Sequence, residues 1–154
     1  MGLMRLAAHG LEVGVPDGFE VRMTRRRATA AGERARPVVH LATVPLPESR
    51  GDFGGNVVDR LGTDDVFVVL FDYGVESASK PLFAGSSMPR RLHPSHFSPA
   101  RLQRGIPNQT ACQLFFSEAG RAFCLYVVLG DRRAIIRGLG RVNRALAGIR
   151  IVPA

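Results

Sequence analysis

Two histidines three residues apart, His93 and His96 in RRLHPSHFSP, come nearest to chemistry by type and spacing. Two imidazoles at that interval can reach one metal ion, but Pro94 lies between them and precludes a regular helix. No cysteine lies close by, residues 77–117 hold no carboxylate, and two ligands alone do not make a zinc site. The expectation is a pair of loop histidines, exposed or hydrogen-bonded, with metal or small-molecule binding as a minor alternative. His40 lies in VVHLATV, where Val38, Ala42 and Val44 share its face, and reads as a core or edge histidine.

The remaining chemical types fare no better. Ser86 and Ser87 sit in FAGSSMP, which lacks the G-x-S-x-G elbow and a positioned base. Asp64 and Asp65 adjoin the start of an apolar run and read as turn residues rather than an acid/base pair. Neither GDFGGN nor RGLGRVN has the Lys-Ser/Thr or the strand-to-helix context of a phosphate loop. Cys112 and Cys124 lack C-x-x-C spacing and are expected to be free buried thiols. No catalytic residue, cofactor or metal is assigned, and the chain is expected not to be an enzyme.

Charge is the stronger compositional signal. The net charge is +8, and 21 basic residues include a single lysine, Lys80, a skew expected of a GC-rich bacterial genome. Arg25, Arg26 and Arg27 form one cluster; Arg133, Arg137, Arg141 and Arg144 recur along one face of the last predicted helix. Guanidinium groups hold phosphates and carboxylates bidentately, so an anion- or nucleic-acid-binding module is the alternative function. No aromatic residues interleave with either cluster, as single-strand binding needs, so nucleic acid is not the expected partner. Arg132 and Arg133 fall in the first helical turn, where they oppose the helix dipole, and nothing local explains them.

The elements that must position these residues follow from periodicity. In GLEVGVPDGFEVRM (residues 10–23), Pro16-Asp17-Gly18 reads as a three-residue hairpin loop. That register sets Val15 against Phe19, Val13 against Val21 and Leu11 against Met23, with Glu12 opposite Arg22. Residues 25–37 read as a basic exposed connection, 38–44 as a strand ended by Pro45 and Pro47, and GNVVDRLG as a short helical piece near Asn56. Val66–Tyr73 is apolar on both faces and predicts a central strand covered on both sides.

Residues 74–110 carry five prolines and read as one long loop, with a helical turn at SPARLQRG capped by Ser98. ACQLFFS and RAFCLYVVLG predict a second central hairpin around EAG; facing Ser117 to Arg121 sets Cys112 and Cys124 diagonally on one face. A helix from Asp131 to Gly148 buries Ile135, Leu139, Val142 and Leu146, and IRIV returns as a short strand. The fold class is α+β: a mainly antiparallel sheet built from hairpins, flanked by a long C-terminal helix and a shorter one. All 154 residues are expected to form a single domain.

An opening strand followed by VPDGFEV, apolar central strands, and a closing VNRALAGIRIV resemble the PsbP-like fold family. That family includes the photosystem oxygen-evolving subunit and a Ran-binding nuclear-import factor. The resemblance covers the two ends of the chain, and its matching positions are structural, so no functional residue is carried over. It implies a PsbP-like sandwich and a binding or accessory protein rather than an enzyme.

The functional expectation is therefore a non-enzymatic, cytoplasmic protein-interaction domain, binding a protein partner or itself as a homodimer. Leu82, Phe83, Met88, Leu92 and Phe97 in the long loop would be apolar anchors, beside Arg90, Arg91, His93 and His96. No membrane role is expected: the longest apolar run, Val66–Phe71, is far short of the ~20 residues that span a bilayer. MGLMRLAAHG is too short for a signal sequence.

Overall fold

The computed structural model describes residues 4–26, 36–47, 56–85 and 87–153. In chain order its elements are β1 (Arg5–Ala8), β2 (Leu11–Gly14), β3 (Glu20–Arg26), β4 (Arg36–Ala42), β5 (Val66–Gly74), β6 (Thr110–Glu118), β7 (Arg121–Leu129), α1 (Ile135–Ala147) and β8 (Ile149–Ile151). Two antiparallel sheets result, one ordered β1-β2-β8 and the other β3-β4-β5-β7-β6. With the closing helix, this is an α+β protein.

The two-faced apolar pattern of Val66–Tyr73 has the consequence expected of it. β5 is the middle strand of the larger sheet, and both its faces are covered. One face carries Val66, Val68 and Leu70, packed with Leu125 and Val127 beneath α1 and the small sheet. The other carries Phe67, Val69 and Phe71, packed with Tyr126 and Val128 and closed over by Leu46 and Val57. His40 is buried on this second face and stacks on Phe67, with ring centroids 5.9 Å apart. Asn56 precedes the short helical turn Val57–Arg60, as its sequence suggests.

The hairpin expected over residues 10–23 does not form. The turn is present: Phe19 N–H donates to Pro16 O at 3.1 Å, and Gly18 takes φ +82°. Its two arms, however, enter different sheets. Leu11 and Val13 pair with Ile151 and Ile149 of β8, while Val21 and Met23 pair with Leu41 and Val39 of β4. Both apolar faces still meet, because Leu11 and Val13 belong to the core on which Phe19, Val21 and Met23 pack. Alternation specifies which face is inward, and a facing sheet satisfies that requirement as well as a hydrogen-bonded neighbour does. Glu12 accordingly lies near Arg150 (3.7 Å) instead of opposite Arg22, whose nearest carboxylate is Glu20 at 3.3 Å.

The second hairpin exists with a register shifted by one. Ala119 and Gly120 both take left-handed backbone (φ 52° and 76°), making a two-residue turn that sets Glu118 against Arg121. The shift moves the cysteines to opposite faces: Cys112 lies in the core under α1 and Cys124 in the core on the far side. Both are free and buried. β7 is interior as expected, but β6 is an edge strand.

The stretch from residue 77 to 109 covers that edge. Ser117 N–H donates to Gly85 O at 2.6 Å, the Ser117 hydroxyl donates to Phe83 O at 2.6 Å, and Ser98 bridges Ala111. Such a strap prevents the edge from pairing with another chain. Its turn at Pro99–Arg101 begins at Ser98, whose hydroxyl accepts from Ala100 N–H at 3.2 Å. The basic connection is shorter than 25–37, since β3 runs to Arg26 and β4 starts at Arg36. Arg27 and Ser86 lie outside the described residues.

Candidate interaction surface

α1 begins where β7 ends, and a close backbone approach sets its position. Gly130 N–H donates to Asp65 O at 2.9 Å. A Cβ on Gly130 would overlap Gly62 O, so no other residue lets the 62–65 loop lie this close. Asp65 holds the loop in shape: its carboxylate accepts from Gly62 N–H and from the Thr43 hydroxyl, each at 2.8 Å. Asp64 is thereby presented to the helix, and its carboxylate accepts from Arg137 Nη1 at 2.8 and 2.9 Å. Arg141 reaches Asp64 O at 3.1 Å and lies 3.9 Å from the Asp65 carboxylate. Asp64 and Asp65 thus do more than punctuate a turn. They anchor the helix through two arginines.

Of the two awkward arginines at the helix start, Arg133 has a local explanation. Asp131 is the N-cap of the leading turn Arg132–Ala134, accepting from Arg133 N–H at 2.8 Å. The same carboxylate takes Arg133 Nε (3.0 Å) and Nη2 (2.7 Å), a bidentate pair that offsets the unfavourable charge. These hydrogen bonds hold the Asp131 carboxyl down at about 2, against an ordinary value of 3.8.

Between these two anchored guanidiniums lies Ile136, 74% exposed. The opposite face of α1 buries Leu139, Val142, Ala145 and Leu146, as its periodicity predicts. Ile136 therefore stands on the wrong side of an otherwise well-patterned helix. It lines a shallow open cavity of about 440 Å³ with Arg133, Ala134 and Arg137. One turn on, Gly140 faces open space, and beyond it Arg144 is exposed. Arg133, Arg137, Arg141 and Arg144 were expected to share one basic outer face. Three of them meet carboxylates.

Of the residues expected to be anchors in the long loop, Leu82 is exposed and the others are placed differently. Phe83, Met88 and Leu92 are 6%, 2% and 1% exposed, so they fill the core and are not available on the surface. Phe83 contacts the rings of Tyr73 (5.5 Å) and Phe115 (5.7 Å). Phe97 is partly buried against the core under α1. The inward packing is held by side-chain clasps: Asn143 of α1 accepts from Leu92 N–H at 2.8 Å and donates to Leu92 O at 3.2 Å. Glu118 accepts from Met88 N–H at 2.8 Å and lies 3.8 Å from Arg90, which also donates to Ile149 O. Arg91 is exposed.

His93 and His96 are exposed, with ring centroids 5.9 Å apart. His96 Nδ1 accepts from His93 N–H at 2.9 Å, so one imidazole nitrogen caps the turn Pro94–His96. Among the described residues no group of three His, Cys, Asp or Glu side chains comes together. Arg25 is exposed on β3, opposite Pro37.

Sequence reasoning missed a buried ion pair. Arg121 and Asp72 are each 6% exposed, with Arg121 Nε 3.7 Å from the Asp72 carboxylate. Arg121 donates to the carbonyls of Gly10 (2.9 Å), Val152 (3.3 Å) and His9 (3.4 Å), and lies over Phe123. It thereby ties the small sheet to the large one. Burial raises the Asp72 carboxyl above its ordinary value, although Gly74 N–H, Arg121 and Arg36 pull it down. The available signal was an aspartate inside an apolar strand, a place where a charge needs a partner. Burial likewise pushes the Cys112 thiol up to about 12 and the Cys124 thiol to about 11, which suits inert core residues.

The chain matches no known family model, no curated protein and no solved structure. Among the described residues no helix is long and apolar enough to cross a membrane.

Proposed function

We propose that this protein is a non-enzymatic interaction domain that binds a protein partner through the outer face of α1. The observation that carries the reading is Ile136, a large aliphatic side chain 74% exposed between Arg133 and Arg137. An isolated exposed apolar residue is ordinary on a protein surface. This one sits in a concavity whose walls are guanidiniums fixed by Asp131 and Asp64, an arrangement suited to a side chain from outside. The partner is a different protein, because a symmetric contact of this face with itself would set arginine against arginine.

A PsbP-like ancestry and a cytoplasmic setting belong to the same reading. The ancestry is supported by the Pro16-Asp17-Gly18 turn and by α1 running straight into β8.

Site-specific photo-crosslinking tests the proposal. With a benzoylphenylalanine at position 136 and, as control, at position 82, where Leu82 is also exposed, the host cell is irradiated. A discrete adduct from position 136 and none from position 82 is the expected result. No adduct from 136, or the same adducts from both, would overturn it. Mass measurement in solution at micromolar concentration should show a monomer.

A further inference from the structure

We propose that the Ile136 concavity is a docking site for an acidic amphipathic segment, one aliphatic or aromatic side chain flanked by carboxylates. The inference rests on the interaction-domain reading and specifies the partner's chemistry. It follows from how the two arginines are held.

Arg133 uses Nε and Nη2 on Asp131, and Arg137 uses Nη1 on Asp64. Nη1 of Arg133 and both Nε and Nη2 of Arg137 are not engaged by these carboxylates. Arg133 therefore has one edge fixed to the protein, Arg137 is held through one nitrogen, and each keeps N–H groups that these carboxylates do not use. A further carboxylate is an acceptor for them, and charge-assisted bonds to it are about twice as strong as neutral ones. Fixing the arginines beforehand removes much of the side-chain ordering that binding would otherwise require. The field also has the right sign: Arg132, in the leading turn, and Arg144, on α1, are exposed and add charge beyond what the three aspartates offset.

The apolar floor separates the candidate occupants. Ile136 gives an aliphatic side chain a surface to cover, and the open space over Gly140 leaves room beside it. A nucleic-acid backbone has no use for that floor, and no aromatic side chain lines the cavity for base stacking. A membrane surface would want several apolar residues to insert, and α1 exposes one large one. An acidic segment with a single apolar anchor meets both features.

The test is selection from a phage-displayed random peptide library on the full chain, followed by binding of the enriched peptides to variants. The expected result is a consensus with Asp or Glu flanking Leu, Ile or Phe. Its affinity should fall about tenfold with Ile136→Ser, fall again with Arg137→Gln, and weaken as salt rises. Circular dichroism melts confirm that each variant is folded. Peptides that need Ile136 but carry no acidic excess, and are indifferent to Arg137→Gln, would overturn this inference while leaving the interaction domain standing. Peptides indifferent to both substitutions, or no enrichment over a blank surface, would overturn the site itself. Ile136-dependent binding of single-stranded DNA, or of phosphatidylserine vesicles, with no selected peptide competing, would assign the surface to another class of partner and overturn the proposal.

Discussion

The strap over residues 77–109 and the outer face of α1 are built from similar residues, arginines beside one or two aliphatic side chains, yet they are turned opposite ways. In the strap, Met88 and Leu92 go inward, and Asn143, Glu118 and Arg90 clasp the main chain that carries them. On α1, Ile136 goes outward, and the polar groups around it brace the arginines and not the isoleucine. The difference teaches how to read an apolar residue beside charge. Where the polar neighbours bind the residue's own backbone, they seal it into the core. Where they fix one another around it, they leave a prepared surface.

The sharpest way to break this comparison is to truncate the inward residue. Leu92→Ala should cost about 2–5 kcal/mol, because it leaves a cavity under α1 that the clasped strap cannot collapse to fill. Chemical denaturation measures it, and a loss near that of a surface substitution would show that the strap is not core. Gly130→Ala should follow at about 1–3 kcal/mol, since its methyl must displace Gly62 O and loosen the loop that holds Arg137 and Arg141. Asn143→Ala leaves Leu92 N–H and C=O without their clasp, a loss of about 1–3 kcal/mol. Hydrogen exchange should then show faster exchange at Leu92 than at the Gly130 amide.

The bracing on α1 has a pH signature. The folded Asp131 carboxyl titrates at about 2, below its ordinary 3.8, so its contribution is complete above that ordinary value and disappears as pH falls toward 2. Asp131→Asn keeps a capping oxygen but no charge. The melting temperatures of the two proteins should differ at neutral pH and converge on acidification through that window. The smallest effect on stability belongs to Ile136→Ser, expected within about 0.5 kcal/mol of wild type because the side chain is largely in water.

Much of the framework was legible locally. Strand identity followed from the stretch ended by prolines at β4 and from the two-faced pattern of β5, and the inward stripe of α1 from its 3.6-residue period. The caps at Ser98 and Asp131 were readable from residue type alone, and both accept the expected N–H. Partnership was not readable. Whether Val13 meets Val21 as a ladder neighbour or across a core depends on where β8 and β4 arrive from distant parts of the chain. Whether the turn between β6 and β7 has two residues or three depended on Ala119 adopting left-handed backbone, which alanine rarely does. The candidate surface was half legible: the arginines were picked out, but Ile136 was not. Its signal, an aliphatic residue off the buried stripe, was present in the helical period.

The sequence by itself determined which faces are apolar, where turns and caps fall, and that the charge is carried by arginine, because these depend on neighbours a few residues away. Tertiary structure decided what those features meet. It sent the two arms of residues 10–23 into separate sheets, and put the cysteines on opposite sides of one. It closed the long loop over an edge strand, and it set Asp64 and Asp131 against the arginines that flank Ile136. Burial and charge pairing act through space, so one pattern along the chain admits more than one set of partners, and only the folded packing selects among them.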